Sequence, residues 1–199
     1  MDKCTVLVTG CSGRIGKGVV CELANRGHSV VGMDRNKPPA QIAGKLAQFI
    51  HGSCEDQLEV RRAVNAVEAV VHLAATPDDA DFEGHLLSPN IMGVQKLLQA
   101  CAETNGRVHR VIIGSSGKVH FGHKGEYPIT QFTPPAAVDL YGATKLFAEG
   151  AAMAHAHHQE ERGYSHSRVI VARIAWCPRT AADCAAMEES TGAAQGRDE

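Results

Sequence analysis

The stretch Cys4-Thr5-Val6-Leu7-Val8-Thr9-Gly10-Cys11-Ser12-Gly13-Arg14-Ile15-Gly16-Lys17-Gly18 decides the fold. Thr5 to Val8 is a short β-branched and apolar run, too brief for a helix and suited to a buried strand. It breaks at Gly10, glycines recur at Gly13 and Gly16, and helix-compatible sequence follows from Ile15 to Arg26. A strand that turns through glycines directly into a helix presents backbone N–H groups and the positive end of the helix dipole to an anion. A side chain there would hold a pyrophosphate away from the backbone. A second strand, His28 to Met33, ends at Asp34, which lies 18 residues beyond Gly16. An acid at that distance is placed to accept from ribose hydroxyls. Strand, glycine turn, helix, strand and acid together predict a dinucleotide-binding βαβ unit. The alternative is a tight strand-to-helix turn in another α/β fold.

Working outward, the alternation continues. Ala47 to His51 predicts a third strand, closed by Gly52-Ser53-Cys54-Glu55-Asp56, with Asp56 or Ser53 capping a helix that runs to about Val67. Ala69 to Leu73 predicts a fourth strand, followed by Ala74 and Ala75. Thr76 to Gly84 is acidic and broken by proline, and predicts a mobile loop over the site. Asn90 opens a helical run, Ile91 to Ala102. Arg110 to Ile113 predicts the fifth strand, ending at Gly114-Ser115-Ser116, and Gly117 to Thr133 an irregular loop. Asp139 is placed to cap a helix running to about Glu161, in which Tyr141 and Lys145 lie four apart and so share a face. The last strand, Ser167 to Ile174, is continuously apolar enough to suit a parallel sheet covered on both faces. The expected fold class is α/β, a doubly wound parallel (Rossmann) sheet of about six strands. Residues 1–176 form the dinucleotide-binding domain, and 177–199 a short polar tail or the start of a substrate-binding region, with one weak helix at most.

Bulk properties narrow the function. With 199 residues, 44% hydrophobic, the chain can bury one sizeable core without needing two domains. A formal charge of −2 with no basic run argues against a nucleic-acid partner. No apolar run approaches the roughly 18–20 residues that span a bilayer. Met1-Asp2-Lys3 leads straight into the first strand with no room for a signal peptide, so a cytoplasmic protein without a membrane partner is expected. The seven cysteines include no Cys-x-x-Cys pair, which makes a zinc site or disulfide framework an unlikely use of them. Cys11, inside the phosphate turn, is either a passive filler or a thiol activated by the helix dipole. His155, His157 and His158 have partial metal-ligand spacing, but late on a helix beside Glu160-Glu161-Arg162 they predict a solvated face, and no metal site is expected. His72, alone in a core strand, is expected to be satisfied by a hydrogen bond rather than to act in catalysis.

The turn Thr9-Gly10-x-x-Gly13-x-x-Gly16 resembles the variant carried by extended short-chain dehydrogenases, the NAD-dependent epimerase/dehydratase family. The resemblance covers residues 5 to about 176, and it extends to Ser116, Tyr141 and Lys145, which fall where that family carries its catalytic Ser, Tyr and Lys. The 25 residues between Ser116 and Tyr141 are typical of it, and Ser115 is the neighbouring candidate for the hydroxyl. The resemblance implies cofactor contacts at Gly10, Ser12, Gly13, Arg14, Ile15, Gly16, Asp34, Arg35, Ser53, Cys54, Leu73, Ala74, Ala75, Asn90, Tyr141, Lys145 and Ile174. Asp34 favours NAD by repelling the extra phosphate of NADP, whereas Arg35 beside it can receive that phosphate; NAD is expected. Ser53 stands where the family has an Asp facing adenine, leaving the backbone to make that contact. Asn90 is either the family's Asn behind the nicotinamide or simply a helix-start residue.

The chemistry needs these residue types. Hydride exchange with nicotinamide converts alcohol and carbonyl, so a proton must move as well. A phenol is a poor base at pH 7, and the family's lysine is expected to lower its pKa and to reach the ribose, while the serine holds the substrate oxygen. His120, His123 and Lys118 lie where substrate can be met, and Lys118 would suit a carboxylate or phosphate. Val119-His120-Phe121-Gly122 departs from the family's Val-Tyr-Gly, and Ser115 to Phe121 is a little like uronate dehydrogenases. The expected function is NAD-dependent oxidoreductase or epimerase-type chemistry on a small sugar or sugar derivative. Dehydrogenase and epimerase are not separated, and the absence of an acid beside the serine weighs against a dehydratase. Pairing of two copies through the helices from Asn90 and Tyr141 is usual in the family, and a homodimer is an expectation. Family members continue for another hundred residues or more, so the alternative is a dinucleotide-binding module without turnover, or a fragment of such an enzyme.

Overall fold

The computed structural model describes residues 3–123, 125, 128–164, 167–175 and 177; residues 178–199 of the expected polar tail, Cys184 included, lie outside the described residues. Six strands, β1 (Thr5–Thr9), β2 (Ser29–Asp34), β3 (Gln48–His51), β4 (Ala69–His72), β5 (Arg110–Ser116) and β6 (Arg168–Ile174), form one sheet in the order β3-β2-β1-β4-β5-β6. Every pair is parallel. The strand order reverses between β1 and β4, and all strand C-termini open on the same edge, where ligands of such sheets bind. Ser115 and Ser116 belong to β5 itself, which runs three residues beyond its expected end.

Period-2 alternation divides the core. Leu7, Met33, Val70, Val111 and Ile113 face helices α3 (Gln57–Val64), α4 (Gly93–Glu103) and α5 (Leu140–Glu161). Val6, Val8, Val30 and Val71 face the other side, toward α1 (Arg14–Asn25) and the short α2 (Ala40–Ala43), which the sequence pattern did not reveal. Cover is incomplete at one edge. Ile170 of β6 is 54% exposed, so among the described residues β6 is packed chiefly on its α5 side, against the expectation of cover on both faces.

Helix ends follow the sequence. Asp56 accepts from Leu58 and Glu59 N–H at the start of α3, and Asp139 from Gly142 N–H (2.6 Å) at the start of α5. The expected loop Thr76 to Gly84 is shorter than foreseen. Asp81 accepts from Gly84 N–H (2.7 Å), and Phe82–Met92 is a π-helix that leads into α4. Pro89 sits inside it. Proline lacks an N–H and collides with the carbonyl four residues back, so it reads as a breaker. The wider turn, in which Gly93 N–H reaches back five residues to Ser88 O, lets the helix pass it. Asn90 is therefore mid-helix and not a helix-start residue.

Candidate functional site

At the C-terminal edge the chain leaves β1 through Gly10, whose φ is +69° and whose N–H donates to Met33 O (2.9 Å), tying the ends of β1 and β2 together. A Cβ on Gly10 would stand 2.8 Å from Ala74 N and 2.9 Å from Leu73 C, both backbone atoms that cannot swing aside. A Cβ on Gly16 would overlap Gly10 O and lie 2.8 Å from Cys11 Cα, so glycine is what lets α1 press its first turn into the loop. Gly13 N–H donates to Gly10 O (3.0 Å), and α1 has neither a capping side chain nor an acid in its first turn. The result is a backbone cradle with a positive helix end and nothing filling it, which fits a pyrophosphate. The Cys11 thiol beside it is buried, and burial raises its pKa, so it is a filler and not an activated nucleophile.

Gly10, Ser12, Gly13, Asp34, Arg35, Ser53, Cys54, Leu73, Ala74 and Ala75 line one cavity of about 210 Å³ along this edge. Met33, Asn36, Gly52, Glu55 and Pro89 complete it; none of these stood out in the sequence as site residues. Asp34 accepts from Ser12 N–H (2.9 Å) and Asn36 N–H (2.8 Å), which aims its carboxylate at the glycine turn. Ser12 Oγ donates to Asn36 O (2.9 Å). The Ser53 amide, expected to serve adenine, instead donates to Glu59 Oε2 (2.8 Å). The Cys54 thiol is pushed up to about 12 by burial, the charges of Asp34 and Glu55 adding to the effect. Arg14 and Ile15, on the first turn of α1, do not line the cavity. Arg14 Nη1 instead donates to the carbonyl of Cys177.

Thr9 Oγ1 accepts from the amides of Leu73 and Ala74 (3.3 Å each) and meets His72 Nδ1 at 2.7 Å. Burial, and then the charge of Lys145, pull His72 down to about 3, so the ring is neutral at physiological pH; Thr9 meets the expectation of a hydrogen bond at Nδ1, while the buried Nε2 has no partner among the described residues. Asn90, 1% exposed, works as a clamp. Its Oδ1 accepts from Thr76 N–H (2.8 Å), and its Nδ2 donates to Thr76 O (3.1 Å) and Thr144 Oγ1 (3.1 Å). It holds the segment after β4 against α5 from outside the cavity.

A second cluster stands where β5 and α5 meet. Ser116 ends β5, in register with Ile174 of β6; its Oγ accepts from Lys118 N–H (3.2 Å), and the hydroxyl is near enough to the Tyr141 phenol to oppose the rise that burial imposes on it. Lys145, one turn along α5, is 7% exposed and donates through Nζ to Gly114 O (3.1 Å); burial lowers its pKa to about 8. Its Nζ lies 5.5 Å from the Tyr141 ring centroid, and Lys118 Nζ lies at the same distance. Lys118 also pairs with Asp139 (3.1 Å) and Asp78 (3.4 Å). The expectation that Lys145 depresses the phenol is not met. Burial dominates and Tyr141 stays above its ordinary value, with Lys118 as the cation that works against the rise.

Ser115 is committed elsewhere. It donates to Glu149 Oε1 (2.6 Å), Glu149 is gripped by the Arg173 fork (2.9 and 2.7 Å), and Arg173 Nη1 meets His120 Nε2 at 2.8 Å. That leaves Ser116 as the hydroxyl beside Tyr141. Glu149 is four residues past Lys145 and eight past Tyr141, and this spacing was the one sequence signal for the network. Of the helical histidines, His155 turns inward, its pKa lowered by burial, while His157 pairs with Glu161 (3.4 Å). The face is thus only partly solvated. Among the described residues, no helix is long and apolar enough to cross a membrane.

Residues 6–174 match the model described as the NAD dependent epimerase/dehydratase family. A UDP-glucose 4-epimerase of Lactobacillus helveticus is 31% identical over 150 residues, which cover 72% of this chain and 44% of that protein. A uronate dehydrogenase of Pseudomonas putida is 29% identical over 147 residues, 74% of this chain and 53% of the relative. The solved structure of MoeE5 in complex with UDP-glucose and NAD superposes with a TM-score of 0.72 at 32% identity, over 85% of this chain and 53% of that one. The chain spans about half the length of these relatives.

Proposed function

Since the chain belongs to the NAD dependent epimerase/dehydratase family, we propose that its cavity holds NAD and that Ser116, Tyr141 and Lys145 carry proton transfer on a sugar or sugar derivative. The observation that carries this reading is the convergence, on one edge of one sheet, of a glycine cradle that no side chain enters and a half-buried phenol that lies by Ser116, with Lys145 one turn away. Gly10, Gly13 and Gly16 would receive the pyrophosphate, Asp34 the adenosine ribose, and Leu73 to Ala75 the wall beneath it. Arg14, Ile15, Asn90 and Ile174 would act from outside the cavity, positioning the turn, the segment after β4 and the β6 end.

When bound, the nicotinamide supplies hydride exchange with a carbon that bears oxygen. The chain's own residues manage the proton. Tyr141, held in its neutral form by burial, donates its phenol proton to a substrate oxygen in the reducing direction. In the oxidising direction the phenolate is stabilised by Lys145 and Lys118, both within reach of the ring. Ser116 orients the substrate oxygen against the phenol. Lys118, flanked by Asp78 and Asp139, is the cation placed to meet an anionic group on the substrate. A homodimer through α4 and α5 is a further proposal, supported by the exposure of Phe147 and Met153 on α5.

The experiment is NADH formation by the 199-residue chain on a panel of aldoses, uronates and nucleotide sugars, beside a form extended to the length of the relatives. Turnover by either form that disappears in Tyr141→Phe supports the reading. NAD binding without turnover by both forms favours a dinucleotide-binding module.

A further inference from the structure

Three charged side chains meet in the cavity where β2 and β3 end: Asp34, Arg35 and Glu55. Glu55 is fixed from several directions. Its Oε2 accepts from Ser88 Oγ of the π-helix (2.6 Å), its Oε1 from Ser53 Oγ (3.2 Å), and its carbonyl from Lys96 Nζ of α4. Arg35 has no such anchoring. Its main-chain carbonyl meets His51 Nε2 (2.8 Å), but its side chain is 64% exposed, and the guanidinium contact recorded for it is Glu55 Oε1 at 3.5 Å. Among the described residues that line the cavity, Arg35 is the only cation.

A ribose 2′-phosphate brings about −1.5 to −2 charges and is recognised by a free arginine fork. Arg35 stands directly after Asp34, where such a fork would decide for NADP. The rigid carboxylate of Glu55 faces it from the other side. We infer that Glu55 is a specificity-determining residue for the cofactor: it engages the Arg35 guanidinium, adds a second carboxylate beside Asp34, and so biases the cavity toward a dinucleotide without a 2′-phosphate. This rests on reading the cavity as a dinucleotide site. Asp34 alone repels the phosphate but leaves Arg35 able to offset it; Glu55 removes that option.

Glu55→Gln isolates the effect, because the amide retains an acceptor for Ser88 Oγ and offers a donor to Ser53 Oγ while losing the charge that holds Arg35. The probes are NADH and NADPH, followed by nucleotide fluorescence on the 199-residue chain. In Glu55→Gln the NADPH Kd is expected to fall about fivefold or more, with NADH changed by less than about twofold. Arg35→Ala in the otherwise unaltered chain is expected to change NADPH binding by less than about twofold, since the carboxylate of Glu55 already faces its Nη1, but to abolish the gain when combined with Glu55→Gln. Arg35 is exposed, so that arm does not depend on Glu55→Gln folding. An unchanged NADPH-to-NADH ratio in Glu55→Gln, or an Arg35→Ala loss of NADPH affinity as large in the unaltered chain as in the double variant, overturns this inference alone. Failure of the folded chain to bind either nucleotide overturns the cavity reading and this inference with it.

Discussion

Replacing Lys145 by Met should expose the energetic signature of an ammonium kept charged for chemistry. Lys145 is buried, donates to Gly114 O, and has its pKa lowered from 10.5 to about 8 by burial. The sign follows from proton counting. Between pH 8 and 10.5 the unfolded chain holds a proton at this site that the folded chain has released, so folding stability rises with pH across that window and is lowest below pH 8. The whole shift corresponds to roughly 3 kcal/mol, most of it lying between pH 7 and pH 10. Met fills the same space without the charge. The lost hydrogen bond to Gly114 O contributes an offset that does not depend on pH, and the other titrating groups are common to both proteins. The quantity to follow is therefore the stability difference between the two chains, from urea unfolding at pH 7, 8, 9 and 10. The unaltered chain should gain roughly 2 to 3 kcal/mol relative to Lys145→Met over that range. A difference constant to within about 0.5 kcal/mol would refute the reasoning, because it would mean that the ammonium is as well solvated in the fold as in the unfolded chain.

Other perturbations separate the parts of the site. Tyr141→Phe should leave NADH binding within about twofold of the unaltered chain and remove turnover on any substrate found, since only the phenol oxygen and its proton are lost; retained turnover would withdraw the proton role. Gly16→Ala should weaken NADH binding by about tenfold or more and lower the unfolding midpoint, because the new methyl overlaps Gly10 O and must push α1 off the turn. Asn90→Ala should lower stability by about 1–2 kcal/mol in urea unfolding, as it removes the partner of the half-buried Thr76 amide and carbonyl and of the buried Thr144 hydroxyl. A loss below about 0.5 kcal/mol would show that the clamp has little hold.

Local, periodic features were legible in the chain. The βαβ start could be read because glycine at Gly10 and Gly16 answers a backbone approach that no other residue allows, and Asp34 follows at the spacing that approach sets. The caps at Asp56 and Asp139 were visible for the same reason: a side chain meeting an amide two or three residues on leaves a short-range mark. Tyr141 and Lys145 share a helix face by spacing alone. What escaped was whatever crosses between elements. Glu59 on the Ser53 amide and the Ser115–Glu149–Arg173–His120 chain join residues from separate strands and helices, and apart from the helical spacing of Glu149 from Lys145 no period in the sequence registers them. The π-helix escaped because Ser88-Pro89 predicts a break, while the remedy, a single wider turn from Ser88 O to Gly93 N–H, depends on packing around it. The exposure of Ile170 on β6 among the described residues escaped because an apolar run signals burial without saying on how many sides.

The most direct test of the central claim is a calorimetric titration of NAD into the 199-residue chain, run in parallel on Gly10→Ala with its fold verified by circular dichroism. Gly10→Ala places a Cβ against Ala74 N and Leu73 C at a backbone φ of +69°, so it should close the cradle while the rest of the sheet persists. The account expects saturable binding at one site per chain, and binding weakened by about tenfold or more in the variant. Equal NAD affinity in the two folded proteins, or no saturable binding by the unaltered chain, would contradict it.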